Sequence, residues 1–211
     1  MQSEPPKADP PKRKRRWFQF SLRSLLIFTL VVAVACAWLA RKIERKRHER
    51  EAVEAIVKLG GNVYYDYDYD HGPALSSHTI PTKNPPGPDW LRSLLGENFF
   101  SEVDRVSING AVGNENMTDA GLIHLRSLPR LRYLMLAVNN LKVTDAGLES
   151  IRELTQLQRL RLALPNVTDS GLENLKGLTQ LQSLYLWGPK ITDAGVNGLQ
   201  AALPTCKIYR L

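Results

Sequence analysis

Four copies of one five-residue segment decide the predicted fold: Thr118-Asp119-Ala120-Gly121-Leu122 recurs, with small changes, at residues 144–148, 168–172 and 192–196. The copies follow one another at intervals of 26, 24 and 24 residues. Between them lie matching apolar frames of Leu131, Leu134, Leu136; Leu157, Leu160, Leu162; and Leu181, Leu184, Leu186, with Val103, Val106, Ile108 as an earlier, degenerate copy. A fixed period of roughly 20–30 residues indicates stacked structural units.

The spacing within one copy predicts its local structure. Leucines at the first, fourth and sixth frame positions predict a short strand whose alternate side chains enter a core. The Thr stands where a helix N-cap is needed, and the Asp follows in the first helical turn, where the helix dipole favours an anion. The Gly permits close approach of a neighbouring backbone. Stacking then places parallel strands in one row and helices in another, which is an α/β fold.

These motifs resemble the leucine-rich-repeat superfamily, in the variant with a Thr-Asp-Ala-Gly-Leu turn, over residues 103–211. Residues 16–23 read Arg-Trp-Phe-Gln-Phe-Ser-Leu-Arg, and the whole chain is similar to short membrane-anchored bacterial proteins, common in planctomycetes, that join this leader to such repeats. The resemblance implies a short curved solenoid, preceded by a single transmembrane helix, that binds proteins on its concave strand face. It implies no reaction and no cofactor.

Residues 24–40 form an uncharged, mostly apolar run. As a helix extended back to Phe20, the run spans about 31 Å, which matches a hydrocarbon core of about 30 Å. Trp38 suits the far membrane interface. The run therefore predicts a transmembrane signal anchor. Three alternatives stay open: a signal peptide cleaved at the Ala-Val-Ala of residues 33–35, a lipoprotein acylated on Cys36, and a buried core helix.

The charge distribution separates the N-terminal region from the remainder. Residues 1–50 carry 13 Lys or Arg against 4 Asp or Glu, and the remaining residues carry 15 against 17. A nucleic-acid groove needs clustered cations on the folded surface, so we expect no nucleic-acid binding. The basic block over residues 12–16 is denser than the mixed charges after residue 40. The positive-inside rule then places the N-terminus in the cytoplasm and the repeat domain outside it.

These observations predict five regions. They are a disordered basic tail over 1–19, a transmembrane helix over 20–40, a juxtamembrane helix over 41–61, a strand, Pro-rich loop and N-terminal cap over 62–100, and a leucine-rich-repeat domain over 101–211. In the cap, we expect a set of apolar side chains to close the core, with the helix over 41–59 and the tyrosine strand as further candidates: Trp90, Leu91, Leu94, Leu95, Phe99 and Phe100. Residues 203–208 are predicted as the last strand, with Cys206 as a small core residue.

No pattern of catalytic or metal-binding residues is present in the sequence. Tyr and Asp alternate over residues 63–70, which predicts a strand with an aromatic and an acidic face. The same aspartates begin like a calcium loop, but the required Gly and Glu are missing. None of the histidines has a Cys or second His at metal-ligand spacing: His48, His71, His78 and His124. We expect no catalytic residue, no metal, no cofactor and no enzymatic activity.

The residues between the buried leucines of each frame point to the opposite face of the strands. Five of them form a hypothetical partner-binding patch: Tyr133, Arg159, Arg161, Tyr185 and Trp187. Tyr, Trp and Arg dominate the energetics of protein interfaces. The alternative is internal packing, with Arg stacked over aromatic rings along the strand row. The predicted function is therefore a protein-interaction module, and the alternative is a self-associating structural component of the cell envelope.

Overall fold

The computed structural model describes residues 22–67, 84–109, 117–137 and 142–211. The chain divides into two compact units, Met1–Glu44 and Arg45–Leu211. The predicted basic tail over 1–19 lies outside the described residues, as do Asp68, Asp70 and most of the predicted Pro-rich loop.

Helix α1 runs over Leu22–Lys58 and is the one helix among the described residues that is long and apolar enough to cross a membrane. It continues without a break past residue 40, through the region predicted as a juxtamembrane helix. Its apolar side chains from Leu25 to Leu39 are exposed, and Phe28, for example, is 65% exposed. In the described part of the chain this segment is therefore not a buried core helix. The helix ends before Gly60, which has a φ of 79°.

The second unit is an α/β fold built on a six-stranded sheet with its strands in chain order. Strand β1 pairs antiparallel with β2, and all later neighbours pair in parallel. The strands are β1 (Asn62–Tyr65), β2 (Val103–Asn109), β3 (Tyr133–Ala137), β4 (Arg159–Ala163), β5 (Ser183–Trp187) and β6 (Lys207–Arg210). Strand β1 is shorter than the strand predicted over 63–70, and β6 begins four residues later than the strand predicted over 203–208.

The core lies behind one face of this sheet, as the leucine frames predicted. Within β3, Leu134 and Leu136 are 2% and 0% exposed, and they align with buried leucines of β4 and β5. Each fully buried leucine stabilises the fold by about 1.5–3 kcal/mol. Cys206 is also buried, as expected.

The side of the core next to β2 is closed partly as predicted, with side chains of the helix over 41–59 contributing to it. Ala52 and Ile56 of α1 belong to the core, and Phe99 is buried as expected. Trp90 and Leu94, which we expected to contribute to the cap, are 68% and 74% exposed. Because α1 already supplies apolar side chains to this part of the core, the α2 segment leaves these two at the surface.

Short helices connect the parallel strands. The α-helices after α1 are α2 (Asp89–Leu95), α3 (Asp119–Leu122), α4 (Asp145–Leu148), α5 (Asp169–Leu172) and α6 (Asp193–Ala202). Helices α3, α4 and α5 continue into 3₁₀ helices over Ile123–Ser127, Ile151–Glu153 and Glu173–Leu175. The α3 to α6 helices neighbour one another in chain order, as the strands do. Thr144, Thr168 and Thr192 cap their helices through the side chain, as predicted, whereas Thr118 makes no such bond.

The Asp of each segment contacts the Thr of the next one. Thr168 donates its backbone N–H and its hydroxyl to Asp145 at 2.8 and 2.6 Å. Two further pairs, Asp119 with Thr144 and Asp169 with Thr192, have the same geometry. We call these three pairs the Asp–Thr ladder. The sequence predicted only a helix-dipole role for the Asp, because the length of the intervening segment did not show that the two residues meet.

The Gly of the segment makes room for this ladder. A Cβ on Gly171 would overlap Asp145 Oδ1 and would lie 3.0 Å from Val167 Cγ1. Gly147 and Gly195 stand in the same position towards the preceding Asp. The sequence predicted that this Gly admits a neighbouring backbone, whereas it admits the carboxylate of the preceding segment.

Candidate functional site

The face of the sheet opposite the core carries the candidate site. Strand pairing fixes its members, because residues paired across a ladder point to the same face. We call this set the strand face: Asn62, Tyr64, Arg105, Ser107, Asn109, Tyr133, Met135, Ala137, Arg159, Arg161, Ala163, Ser183, Tyr185, Trp187, Lys207 and Tyr209. Its side chains are partly or fully exposed, except for Ser107, which is 9% exposed.

One row of the strand face combines cations with an aromatic ring. Arg105, Tyr133 and Arg159 lie side by side on β2, β3 and β4. The guanidinium carbons of Arg105 and Arg159 lie 4.6 and 5.2 Å from the centroid of the Tyr133 ring. Such contacts stabilise by about 0.5–1 kcal/mol at exposed sites. The row therefore contains the internal stacking that the sequence left open as an alternative, and the stacking also fixes the directions of the two guanidinium groups.

The next row carries an exposed cation and two stacked tyrosines. Met135, Arg161 and Tyr185 are neighbours on β3, β4 and β5, and Tyr209 follows on β6. The rings of Tyr185 and Tyr209 stack at 4.7 Å with an interplanar angle of 13°. Tyr209 is 43% exposed. This row therefore presents a flat aromatic surface beside the guanidinium group of Arg161.

Four of the five residues predicted for the partner-binding patch surround one pocket. Tyr133, Arg159, Arg161 and Tyr185 line a cavity of about 200 Å³ on the strand face, together with residues of β1, β2 and β3. Trp187 lies on the same face, in the row of Ala137 and Ala163, but outside the pocket. It is 38% exposed.

The strand face carries positive charge only. Arg105, Arg159, Arg161 and Lys207 belong to it, and none of its positions holds Asp or Glu. Within the described parts of the chain, neither Arg159 nor Arg161 forms an ion pair. Basic residues elsewhere in this unit do, as in the pairs Arg126 with Glu153 at 3.4 Å and Arg132 with Asp104 at 3.6 Å. The guanidinium groups of Arg159 and Arg161 are thus not matched by a carboxylate in the parts of the chain that the structure describes.

Sequence reasoning missed several members of this site. Asn62 and Tyr64 reach the pocket because β1 pairs antiparallel with β2, and no sequence signal specified that pairing. Tyr209 was missed because the last strand begins later than predicted. Arg105 could have been included, since it holds the same frame position as Tyr133 and Arg159.

A second group of charged residues is buried where α1 contacts the start of β2. Lys46 and Glu49 are 9% and 6% exposed, and Lys46 Nζ lies 2.7 Å from Glu49 Oε2. Lys46 also donates to the carbonyl oxygen of Ser101, and to Glu102 Oε2 at 3.2 Å. Burial raises the pKa of the Glu49 carboxyl, although Lys46 opposes the shift through its hydrogen bond and charge. This cluster anchors α1 to the sheet and is closed to ligands by its own pairing.

No metal-binding group of three or more His, Cys, Asp or Glu side chains occurs among the described residues. Burial raises the pKa of the Cys206 thiol, which disfavours the reactive thiolate. His48 is exposed, and its Nδ1 lies 3.7 Å from Glu51 Oε2. His124 is half-buried. His71 and His78 lie outside the described residues.

No protein-family model matches the chain. No curated protein matches it either.

Proposed function

We propose that this chain is a membrane-anchored leucine-rich-repeat protein whose strand face binds another protein, without catalytic activity. The observation that carries the proposal is the gathering of Tyr133, Arg159, Arg161 and Tyr185 around one pocket on an open sheet face. Tyr and Arg are the types that contribute most to interface energetics, and a concave apolar pocket rimmed by them suits an inserted side chain.

The repeat part of the proposal is supported by the regularity of the second unit. Strands β2 to β6 pair in parallel and in register, and α3 to α6 each begin at the Asp of a Thr-Asp pair. The Asp–Thr ladder gives each segment the same contact with the next. Units that contact only their neighbours form a solenoid, and its strand side is the concave side that binds partners.

The membrane part is supported by α1 and by the charges that flank it. An apolar run of this length, with aromatic residues near its ends, favours a single transmembrane helix. Under the positive-inside rule, the N-terminus lies in the cytoplasm and the second unit lies outside it. Protease added to intact cells should then remove the second unit. Retention of the whole chain in intact cells, with digestion only after lysis, would reverse the assigned orientation.

Site-specific photo-cross-linking tests the binding function. An aromatic photo-cross-linker placed at Trp187 of the full chain, in the cells that carry the protein, should give one discrete cross-linked product. The substitution Arg161→Glu in the same chain should abolish the product, because Arg161 lies on the adjacent row. The double variant Trp187→Ala, Arg161→Glu should likewise fail to capture the partner in a pull-down.

The matched control is a cross-linker at Arg152, which is exposed and lies on the 3₁₀ helix away from the strand face. It should give no product of that mass. Equal products from both positions, or none from Trp187, would contradict partner binding at the strand face. A product with the mass of two copies of the chain would instead support the alternative function, a self-associating envelope component.

A further inference from the structure

The charge of the strand face restricts the chemistry of its partner. Arg159 and Arg161 project from one strand beside aromatic rings, and Lys207 lies two strands further along the row of Arg159. Among the described residues, no carboxylate belongs to this face. A partner that brings neutral or basic groups against this face would leave desolvated cations without a counter-charge, which is costly. A partner that brings carboxylates satisfies them with charge-assisted, bidentate hydrogen bonds.

The spacing of the cations indicates how such carboxylates are arranged. Arg105, Arg159 and Lys207 occupy alternate strands of the same row. Adjacent strands lie about 4.8 Å apart, so cations on alternate strands are separated by roughly 9.6 Å. Three residues of an extended chain span about 9–10 Å. An extended segment that lies across the strands, with an acidic residue at every third position, therefore matches the row.

The pocket and the stacked rings favour a peptide over a larger rigid ligand. A cavity of about 200 Å³ holds one or two side chains, whereas small-molecule sites typically occupy about 300–1,000 Å³. Asn62 and Ser107 supply polar groups to its lining, which suit a peptide backbone. The stacking of Arg105 and Arg159 on Tyr133 fixes their guanidinium planes before binding, so less side-chain entropy is lost.

We propose that the partner of the strand face is an acidic, extended peptide segment, with Glu or Asp at about every third residue, lying across β2 to β6. This inference rests on the proposed protein-binding function and specifies the chemistry of the partner. Arg159 and Arg161 pair with its carboxylates, the pocket beside Tyr133 receives one of its side chains, and the Tyr185–Tyr209 stack packs against its apolar atoms.

Fluorescence anisotropy with a defined probe tests this proposal. The probe is a labelled peptide with Glu at every third position and Ala or Pro between, and the protein is the full chain in nanodiscs of zwitterionic phosphatidylcholine. We expect saturable binding that weakens about tenfold for Arg159→Gln and for Arg161→Gln, because each variant removes a charge-assisted pair. Binding should also weaken as ionic strength rises from about 0.01 to 0.15 M.

Two matched controls make the result specific. The variant Arg152→Gln removes an exposed cation away from the strand face and should leave the affinity unchanged. The same peptide with Gln in place of Glu should bind at least about tenfold more weakly. Circular dichroism of each variant, with an unchanged unfolding temperature, verifies that the fold is intact.

Several outcomes would overturn the inference. They are equal binding of the Glu and Gln peptides, an equal loss of affinity in Arg152→Gln, and full competition by inorganic phosphate or an RNA oligonucleotide at the peptide's own concentration. The cross-linking at Trp187 is independent of this experiment. A discrete cross-linked partner, together with equal affinity for the Glu and Gln peptides, would refute the acidic character of the partner but would still support the binding function. Absence of both would refute the binding function itself.

Discussion

The Asp–Thr ladder and the strand face belong to the same stacked segments but follow opposite patterns. The ladder uses the same two residue types at each step, and each carboxylate receives both of its hydrogen bonds from the next segment. The strand face changes from strand to strand, from Arg to Tyr to Arg to Ser to Lys along one row. Its charges have no carboxylate on the same face.

This difference separates the positions that hold the fold from those available for recognition. A residue that is constant from segment to segment, and is satisfied inside the molecule, makes the contact by which one segment stacks on the next. A residue that varies, is exposed and forms no ion pair among the described residues, such as Arg161, contributes little to the contact between segments. Substitutions in the two regions should therefore differ in their effect on stability, and the predictions below use that contrast.

The largest expected loss of stability follows from Gly171→Ala. The added Cβ would overlap the Asp145 carboxylate and press on Val167, so either the ladder or the backbone must move. We expect a loss of about 2–3 kcal/mol, typical of overpacking, measured by thermal unfolding of the full chain in detergent. Gly198→Ala is the control, because Gly198 lies in α6 with no atom near a new Cβ. It should stabilise by up to about 1 kcal/mol, and equal losses in both variants would contradict the role of the ladder.

The second largest effect is expected for Asp145→Ala. This variant leaves the backbone N–H and hydroxyl of Thr168 without their acceptor, and we expect it to cost about 1–2 kcal/mol of stability. Asp145→Asn should cost less, since an amide oxygen still accepts from the N–H group. Asp193→Ala is the matched control, because Asp193 is exposed and contacts Arg210 at the end of the series. It should change stability by less than about 0.5 kcal/mol. A larger loss in Asp193→Ala would contradict a specific contribution of the Asp–Thr ladder to stability.

A smaller, pH-dependent effect distinguishes the buried charges near α1 from the ladder. Burial raises the pKa of Glu49 above its ordinary value of 4.5, so the folded state takes up a proton first as the pH falls. The wild type should therefore gain stability relative to Glu49→Gln as the pH falls from 7 towards 4.5, and lose it as the pH rises. Hydrogen bonds from Thr192 lower the pKa of the Asp169 carboxyl below its ordinary value of 3.8. The ladder therefore has the opposite pH dependence, because its contribution to stability is lost as the pH falls below 3.8. Unfolding temperatures measured from pH 7 to below pH 3.8 test both signs, and a pH-independent difference between wild type and Glu49→Gln would refute the first.

The smallest effect on stability is expected on the strand face. Arg161 is exposed and forms no ion pair among the described residues, so Arg161→Gln should change the free energy of unfolding by less than about 0.5 kcal/mol. The same variant should weaken the peptide binding proposed above about tenfold. A loss of stability comparable to that of Asp145→Ala would show that the strand face also holds the fold, and would remove the distinction between the two regions.

Much of the fold could be predicted because each repeated residue type acts locally. The leucine frames predicted β3, β4 and β5, and the Thr residues predicted the caps of α4, α5 and α6. The antiparallel pairing of β1 and the exposure of Trp90 could not be predicted in this way. Both depend on which distant segment covers the core beside β2, and that choice is made by packing rather than by local pattern.

The sequence by itself determined strands β3, β4 and β5, their buried leucines, the capping residues of α4, α5 and α6, and the apolar length of α1. Periodicity and composition are read directly from neighbouring residues. The sequence also predicted Tyr133, Arg159, Arg161 and Tyr185 as one group, since equal frame positions align when segments stack. Only the tertiary structure decided that Asp145 accepts a hydrogen bond from Thr168, and that the missing side chain of Gly171 leaves space for that carboxylate. It also decided that Asn62 and Tyr64 line the pocket. These contacts join residues far apart in the chain, and their geometry is fixed by how the segments pack.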